Sequence, residues 1–242
     1  TATGTVMVVL PVRIVISLRF IALHISWVRS NPEAPTIPPM TTSSGSLIAI
    51  PAMPPATPDR AFRREMVMGI IAGGEKCMFQ AAEREEDNYE SGIKDLKDKQ
   101  LTKKDVVVGI SASGNAQYLI GAINYANELG CETVGITSNE NTLITKSAKI
   151  SIITDTGAEV ITGSTRMKAG TAQKIILNML STVAMIKLGN VYENMMINLR
   201  PTNEKLKNRM IRIVTEIIGV NEEEAKKLLE KSDWNIRTAV QK

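Results

Sequence analysis

The stretch Asp105-Val106-Val107-Val108-Gly109-Ile110-Ser111-Ala112-Ser113-Gly114 sets the architecture. Four apolar residues and one glycine run without alternation and then break into small hydroxyl residues, which is how a strand buried on both faces is written before it leaves a sheet. Similar short runs stand at Met66 to Ala72, Thr133 to Thr137 and Ile150 to Thr154. Amphipathic stretches separate them and predict helices at Glu75 to Glu86, at Ala116 to Leu129 with a stop at Gly130, and at Thr142 to Ala148. Strand and helix in alternation predict an α/β fold, a central parallel sheet with helices on both faces. Right-handed crossovers then bring the C-terminal ends of the strands to one rim, where ligands of open α/β sheets bind. Ser111, Ser113 and Gly114 fall on that rim. A seryl-glycyl loop after a strand holds an anion or simply turns the chain.

Further along, Glu159-Val160-Ile161-Thr162-Gly163-Ser164-Thr165-Arg166-Met167-Lys168-Ala169-Gly170-Thr171-Ala172-Gln173-Lys174 leads into a long helix expected from about Thr165 to Leu188, closed by Gly189. Thr162 or Ser164 is the expected cap, leaving first-turn N–H groups and the positive end of the dipole to face an anion. The other reading is an ordinary capped helix. Arg166 and Lys168 either reach a ligand or pair with acids at a subunit interface. Beyond Pro201 the sequence predicts helices at Asn203 to Gly219, Asn221 to Lys231 and Asp233 to Gln241, capped by Asn221 and Asp233, a small three-helix bundle with ubiquitin-associated-type spacing.

Composition divides the chain. Nine of ten prolines lie at or before Pro58, and all seventeen lysines lie at or after Lys76. Residues 1–64 hold six arginines against Glu33 and Asp59, whereas the remainder balances 23 basic with 23 acidic residues, so the net +4 belongs to the first segment. Two compositions have been joined, as by a shifted reading frame or a chimeric assembly. Residues 1–29 read as β-prone without a pattern and residues 30–64 as irregular, so the domain division is 1–64, 65–200 and 201–242. The neutral, aromatic-poor remainder argues against a nucleic-acid surface. Arg13, Arg19 and His24 interrupt the apolar start before it reaches the roughly 18 residues of a membrane span. Cys77 and Cys131 have no metal-ligand spacing, and His24 is the single histidine.

The 159–174 string resembles the signature of the N-acetylmuramic acid 6-phosphate etherases and of their relative, the glucokinase regulatory protein. The resemblance extends to Glu65-Met66-Val67-Met68-Gly69-Ile70-Ile71-Ala72-Gly73-Gly74, to the 105–114 strand and loop, and to Arg200-Pro201-Thr202-Asn203-Glu204-Lys205-Leu206, and covers about residues 65–242. It implies a sugar-isomerase-type (SIS) three-layer sandwich, and a cytoplasmic, cofactor-free and metal-free carbon–oxygen lyase that acts as a homodimer on a phosphorylated amino sugar, with no nucleic-acid or membrane partner. In such a reaction the lactyl ether leaves C3 by elimination after loss of the C2 proton, and water adds back. Two carboxyl groups with separated protonation states serve it.

Matched to the family's Ala-Glu-x-x-Glu-Asp pattern, Ala82-Glu83-Arg84-Glu85-Glu86-Asp87 makes Glu86 the implied catalytic acid–base. Ser111, Ser113, Gly114, Glu159, Ser164 and Thr165 are the implied substrate contacts. Two departures stand out. Etherases read Ser-Gly-Arg-Thr-Pro where this chain has Ser113-Gly114-Asn115-Ala116-Gln117, and their Gly-Ala-Gly-Thr-Ser-Gly-Arg loop and second catalytic glutamate have no match in residues 1–64. The alternative is a non-catalytic sugar-phosphate-binding regulator.

Overall fold

A computed structural model describes residues 6–11, 67–78 and 84–241. The chain separates into two compact units, which divide between Ser181 and Thr182.

The first unit is built on a five-stranded sheet in the order β2-β1-β3-β4-β5. Its strands are β1 (Val6–Pro11), β2 (Met68–Ile71), β3 (Asp105–Ile110), β4 (Glu132–Thr137) and β5 (Ile150–Ile153). β3, β4 and β5 are parallel, with Val108 opposite Val134 and Ile136 opposite Ile152. Val106, Val107, Val108, Val134 and Ile136 are fully buried, as the unalternated apolar runs require.

One expectation needs correction. The first residues read as patternless, yet Val6–Pro11 lies between β2 and β3 and runs antiparallel to both, with Val8 opposite Val108. Val6-Met7-Val8-Val9-Leu10 is a strong β-forming run, and pairing it with β3 satisfies backbone groups that a buried strand cannot leave open. The terminal Pro11 sits where its missing N–H disturbs the ladder least. The sheet is therefore mixed: β2, β3, β4 and β5 share the expected direction and β1 alone runs against it. The expectations for residues 12–64 lie outside the described residues.

Among the described residues, the helices of this unit are α1 (Tyr89–Asp98), α2 (Gln117–Glu128), α3 (Leu143–Ser147) and the start of α4 (Lys168–Lys187). The expected Glu75–Glu86 helix is also corrected: its described ends are separate 3-10 turns at Glu75–Met78 and Glu85–Asp87. The helix forms later as α1, capped by the Asn88 side chain, which accepts from Ser91 N–H at 3.1 Å. α1 and α2 cross very closely. A Cβ on Gly92 would lie 2.0 Å from the Tyr118 carbonyl oxygen, and one on Gly121 would lie 2.2 Å from that of Tyr89. Each helix thus presents a glycine to the other's backbone, a contact any side chain would block. Tyr118 seals the crossing: it is fully buried and donates its hydroxyl to Asp95 at 2.6 Å. Burial and then the Asp95 carboxylate push its pKa far above the ordinary tyrosine value.

In the second unit, the hairpin β6 (Val191–Tyr192) and β7 (Met195–Met196) precedes α5 (Glu204–Ile218), α6 (Glu222–Lys231) and α7 (Ile236–Val240). Met210, Val214, Ala225, Leu229, Ile236 and Ala239 form its core. Asn203 and Asn221 cap α5 and α6. The third cap is Asn235 and not Asp233: Asp233 and Trp234 both have positive φ, a two-residue turn that shortens the last helix.

Candidate functional site

The C-terminal ends of the parallel strands meet in a hydroxyl-rich rim. After β3, the Ser111 hydroxyl accepts from Gly114 N–H at 3.2 Å and lies 3.2 Å from the Ser113 hydroxyl. Ser113 in turn accepts from Asn115 N–H at 3.4 Å. Gly114 is forced by both conformation and space: its φ is +71, and a Cβ would lie 2.5 Å from Thr142 Oγ1 and 2.6 Å from Thr137 Oγ1. Ser111 is buried and Ser113 exposed. When Ser111 donates its proton to Ser113, the Ser113 hydroxyl proton is available to a ligand.

β4 and β5 complete the rim with residues that the sequence reading did not select. The Ala112 carbonyl accepts from Ser138 N–H at 3.1 Å, Thr137 Oγ1 at 3.2 Å and Asn139 Nδ2 at 2.8 Å. Ser138 and Thr154 share a hydroxyl contact at 3.1 Å, and Thr154 also donates to the Thr137 carbonyl. The signal was available: Ser138 and Thr154 follow their strands directly, as Ser111 follows β3.

The family departure at 113–117 has a visible consequence. Ala116 stands at the N-cap of α2 without a capping side chain. Asn115 turns instead to the next helix, accepting from Leu143 N–H at 3.1 Å, and its amide donates to the Ser113 carbonyl at 3.4 Å. Asn115 therefore ties the β3 exit to the start of α3 and adds no charge to the rim.

At the 159–174 string, the first turn of α4 is held by a group other than the hydroxyls expected. Glu159 Oε2 accepts from Lys168 N–H at 3.0 Å, and Oε1 accepts from Ala169 N–H at 3.1 Å. The helix begins at Lys168, three residues after the expected start. These two backbone bonds, more than the nearby Lys168 charge, draw the Glu159 carboxyl below the usual carboxylate range. Ser164 and Thr165 are half-buried on the loop ahead of the helix. Arg166 is exposed, and the Lys168 ammonium donates to the Ala158 carbonyl at 2.7 Å.

Glu86 is exposed on the 3-10 turn Glu85–Asp87, which packs against α2, the helix opened by the Ser111–Asn115 loop. Ser111, Ser113 and Gly114 are thus in mutual contact, Glu159 is bound to the start of α4, and Glu86 stands on a separate turn of the same unit. Among the described residues, no group of three or more histidine, cysteine, aspartate or glutamate side chains could hold a metal ion, and no helix is long and apolar enough to cross a membrane. Cys131 is buried and donates to the Thr102 carbonyl, and burial raises its thiol pKa, the reverse of a reactive thiolate.

The Glucokinase regulatory protein N-terminal SIS domain family matches residues 53–127, and a UBA-like domain family matches residues 211–242. The N-acetylmuramic acid 6-phosphate etherase of Clostridium beijerinckii is 49% identical over 183 residues, 76% of this chain and 60% of the relative. That of Alkaliphilus metalliredigens is 49% identical over 177 residues, 73% of this chain and 58% of the relative. That of Staphylococcus epidermidis is 51% identical over 174 residues, 72% of this chain and 59% of the relative. This chain spans about three fifths of the length of these relatives. Over roughly three quarters of its own length, the chain is similar to the N-acetylmuramic acid 6-phosphate etherases, and over residues 53–127 to the SIS domain family.

Proposed function

We propose that the chain is an N-acetylmuramic acid 6-phosphate etherase, a cofactor-free carbon–oxygen lyase that releases D-lactate and N-acetylglucosamine 6-phosphate in the cytoplasmic recycling of cell-wall amino sugars. The observation that carries the proposal is the hydroxyl rim at the ends of β3, β4 and β5, set in a chain about half identical to proteins of that name. A phosphate needs donors, and the rim supplies them from neutral hydroxyls. Ser111, Ser113 and Gly114 receive the phosphorylated sugar, with Ser164 and Thr165 approaching from the loop before α4, which Glu159 anchors.

Glu86 transfers protons. In this reading one carboxylate takes the C2 proton once the open-chain aldehyde acidifies it, and a carboxylic acid protonates the departing ether oxygen, each positioned transfer contributing about 10²–10⁴ in rate. A homodimer is part of the proposal, as the family resemblance implies, and the family's second carboxyl has no match in residues 1–64. That same gap favours a second reading, a sugar-phosphate-binding regulator that does not turn over its ligand.

A coupled D-lactate assay on N-acetylmuramic acid 6-phosphate, run beside a calorimetric titration with N-acetylglucosamine 6-phosphate, separates the two. Lactate release that falls about 10²-fold or more in Glu86→Gln supports the lyase. Binding without lactate release supports the regulator, and release undiminished by Glu86→Gln removes Glu86 from the reaction.

A further inference from the structure

The 3-10 turn that carries Glu86 meets a glycine on either side. Upstream, Gly73 leaves β2 with φ +81, and a Cβ on it would lie 2.3 Å from Cys77 Sγ, 2.8 Å from Glu85 Cγ and 3.3 Å from Glu85 Cβ. The bare Cα of Gly73 thus lets the Glu85 side chain and the Cys77 thiol lie over the β2 exit. Downstream, the turn passes through Asn88 into α1, whose first residue, Tyr89, sets its carbonyl against Gly121 of α2. Between these two approaches the backbone is tightly bent. Arg84 opens the turn in the left-handed region at φ +77, which a residue with a side chain keeps only where its surroundings hold it, and Asp87 N–H donates to the Arg84 carbonyl at 3.1 Å.

The β2 exit belongs to the same rim as the serine loop. Ile71 of β2 and Ile110 of β3 both stand opposite Val6 of β1, and Gly73 and Ala112 each lie two residues beyond that level. Two strand spacings, about 10 Å, separate the two exits, a gap that an extended sugar phosphate bridges. In a 3-10 turn successive side chains are about 120° apart, so with Glu85 turned to Gly73 the Glu86 side chain is carried away from it.

We infer that Gly73 is a positioning residue for Glu86: by having no side chain it admits Glu85 to the β2 exit and so sets the Glu85–Asp87 turn at the rim, across from the Ser111–Gly114 loop. This deepens the lyase reading above and rests on it. Gly73 acts without touching substrate, so crowding it lowers turnover through Glu86 and leaves binding at the serine hydroxyls unchanged.

Gly74 supplies the control, because its φ is +74 and nothing lies within 4 Å of an added Cβ. Gly73→Ala and Gly74→Ala are compared with the parent chain in D-lactate release from N-acetylmuramic acid 6-phosphate, in affinity for N-acetylglucosamine 6-phosphate and in amide hydrogen exchange at Asp87. Gly73→Ala lowers kcat about tenfold or more, since a misplacement of about 1 Å can cost about 10²-fold, while affinity stays within about twofold. Exchange at Asp87 rises about fivefold or more in Gly73→Ala and is unchanged in Gly74→Ala. In a Glu86→Gln background, adding Gly73→Ala lowers release by less than about twofold, because both substitutions act on one group, whereas a general loss of stability would repeat in full. Glu85→Ala, which withdraws Cγ from Gly73 without crowding it, moves kcat and Asp87 exchange in the same direction and serves if Gly73→Ala does not fold; Glu85→Gln, which keeps Cβ and Cγ, matches the parent.

Unchanged Asp87 exchange in both Gly73→Ala and Glu85→Ala overturns the inference. So does an equal loss of kcat in Gly73→Ala and Gly74→Ala, or a Gly73→Ala loss that recurs undiminished beside Glu86→Gln. A parent chain that releases no lactate overturns the effect on turnover together with the lyase reading, while Asp87 exchange in Gly73→Ala against Gly74→Ala still decides whether Gly73 sets the turn.

Discussion

Replacing Gly114 by alanine tests the rim's construction where it is tightest. The added Cβ would lie 2.5 Å from Thr142 Oγ1, 2.6 Å from Thr137 Oγ1 and 2.7 Å from Thr142 Cβ. Neither threonine can turn aside freely: both are buried, Thr137 is bonded to Ala112 and Asn139, and Thr142 faces Thr145. A left-handed conformation costs a non-glycine residue about 1–2 kcal/mol. Overpacking a site with no slack adds about 1–3 kcal/mol, and the stiffer unfolded chain returns under about 1 kcal/mol. The expected net loss is about 3 kcal/mol, or roughly 6–12 °C in the midpoint of the sheet-bearing unit by differential scanning calorimetry. Gly157→Ala is the control, because its φ is +64 but nothing lies within 4 Å of the added carbon. It bears the backbone cost alone and is expected to melt about 2–6 °C below the parent. If both variants melt together, the crowding of Gly114 by Thr137 and Thr142 does not shape this loop, and the reasoning from rim geometry fails.

Three further outcomes follow from individual contacts. Asn115→Ala removes the acceptor for Leu143 N–H and the donor to the Ser113 carbonyl, so stability falls by about 1 kcal/mol and amide exchange at Leu143 rises; an unchanged Leu143 amide contradicts the tie. Tyr118 has its pKa raised in the folded state, so its contribution is complete below the ordinary tyrosine value near 10 and is lost as pH rises above it; urea unfolding at increasing pH shows a steeper alkaline decline for the parent than for Tyr118→Phe, and parallel curves refute the assignment. Glu159 has the opposite sign. Its carboxyl is lowered by Lys168 and Ala169 N–H, so the loop closure is complete above the ordinary glutamate value and opens as pH falls through the lowered one. The Lys168 and Ala169 amide resonances then titrate in the parent and not in Glu159→Gln.

The elements legible in the sequence were those whose pattern is set by burial. The runs at 106–110 and 133–137 are buried along their length, and the cap Asn221 has local side-chain chemistry, so strand and helix positions follow directly from residue type. What escaped depends on partners distant in sequence. β1 is a strand because β3 accepts it as a neighbour. α1 was hidden by the acidic run before it, and its Gly92, unfavourable inside a helix taken alone, is required by the Tyr118 carbonyl. The cap of α4 lies nine residues upstream of the N–H it serves, beyond the short spacing of hydroxyl caps, so the helix mouth read as an open anion site when the chain fills it itself. Ser111, Ser113 and Gly114 are candidates by their position after a strand, and the structure brings them into one loop. Ser138 and Thr154 had the same position without a familiar motif to draw notice.

The most direct measurement is calorimetric titration of N-acetylglucosamine 6-phosphate into the parent chain, Ser113→Ala and Ser164→Ala. Each removed hydroxyl deletes a hydrogen bond to a charged phosphate, a loss of about 1.5–3 kcal/mol that weakens binding roughly 10- to 100-fold. Weakening in both variants places the phosphate between the β3 exit and the loop before α4. Binding left intact by both substitutions contradicts the account, because the sugar phosphate is then held elsewhere than on the hydroxyl rim.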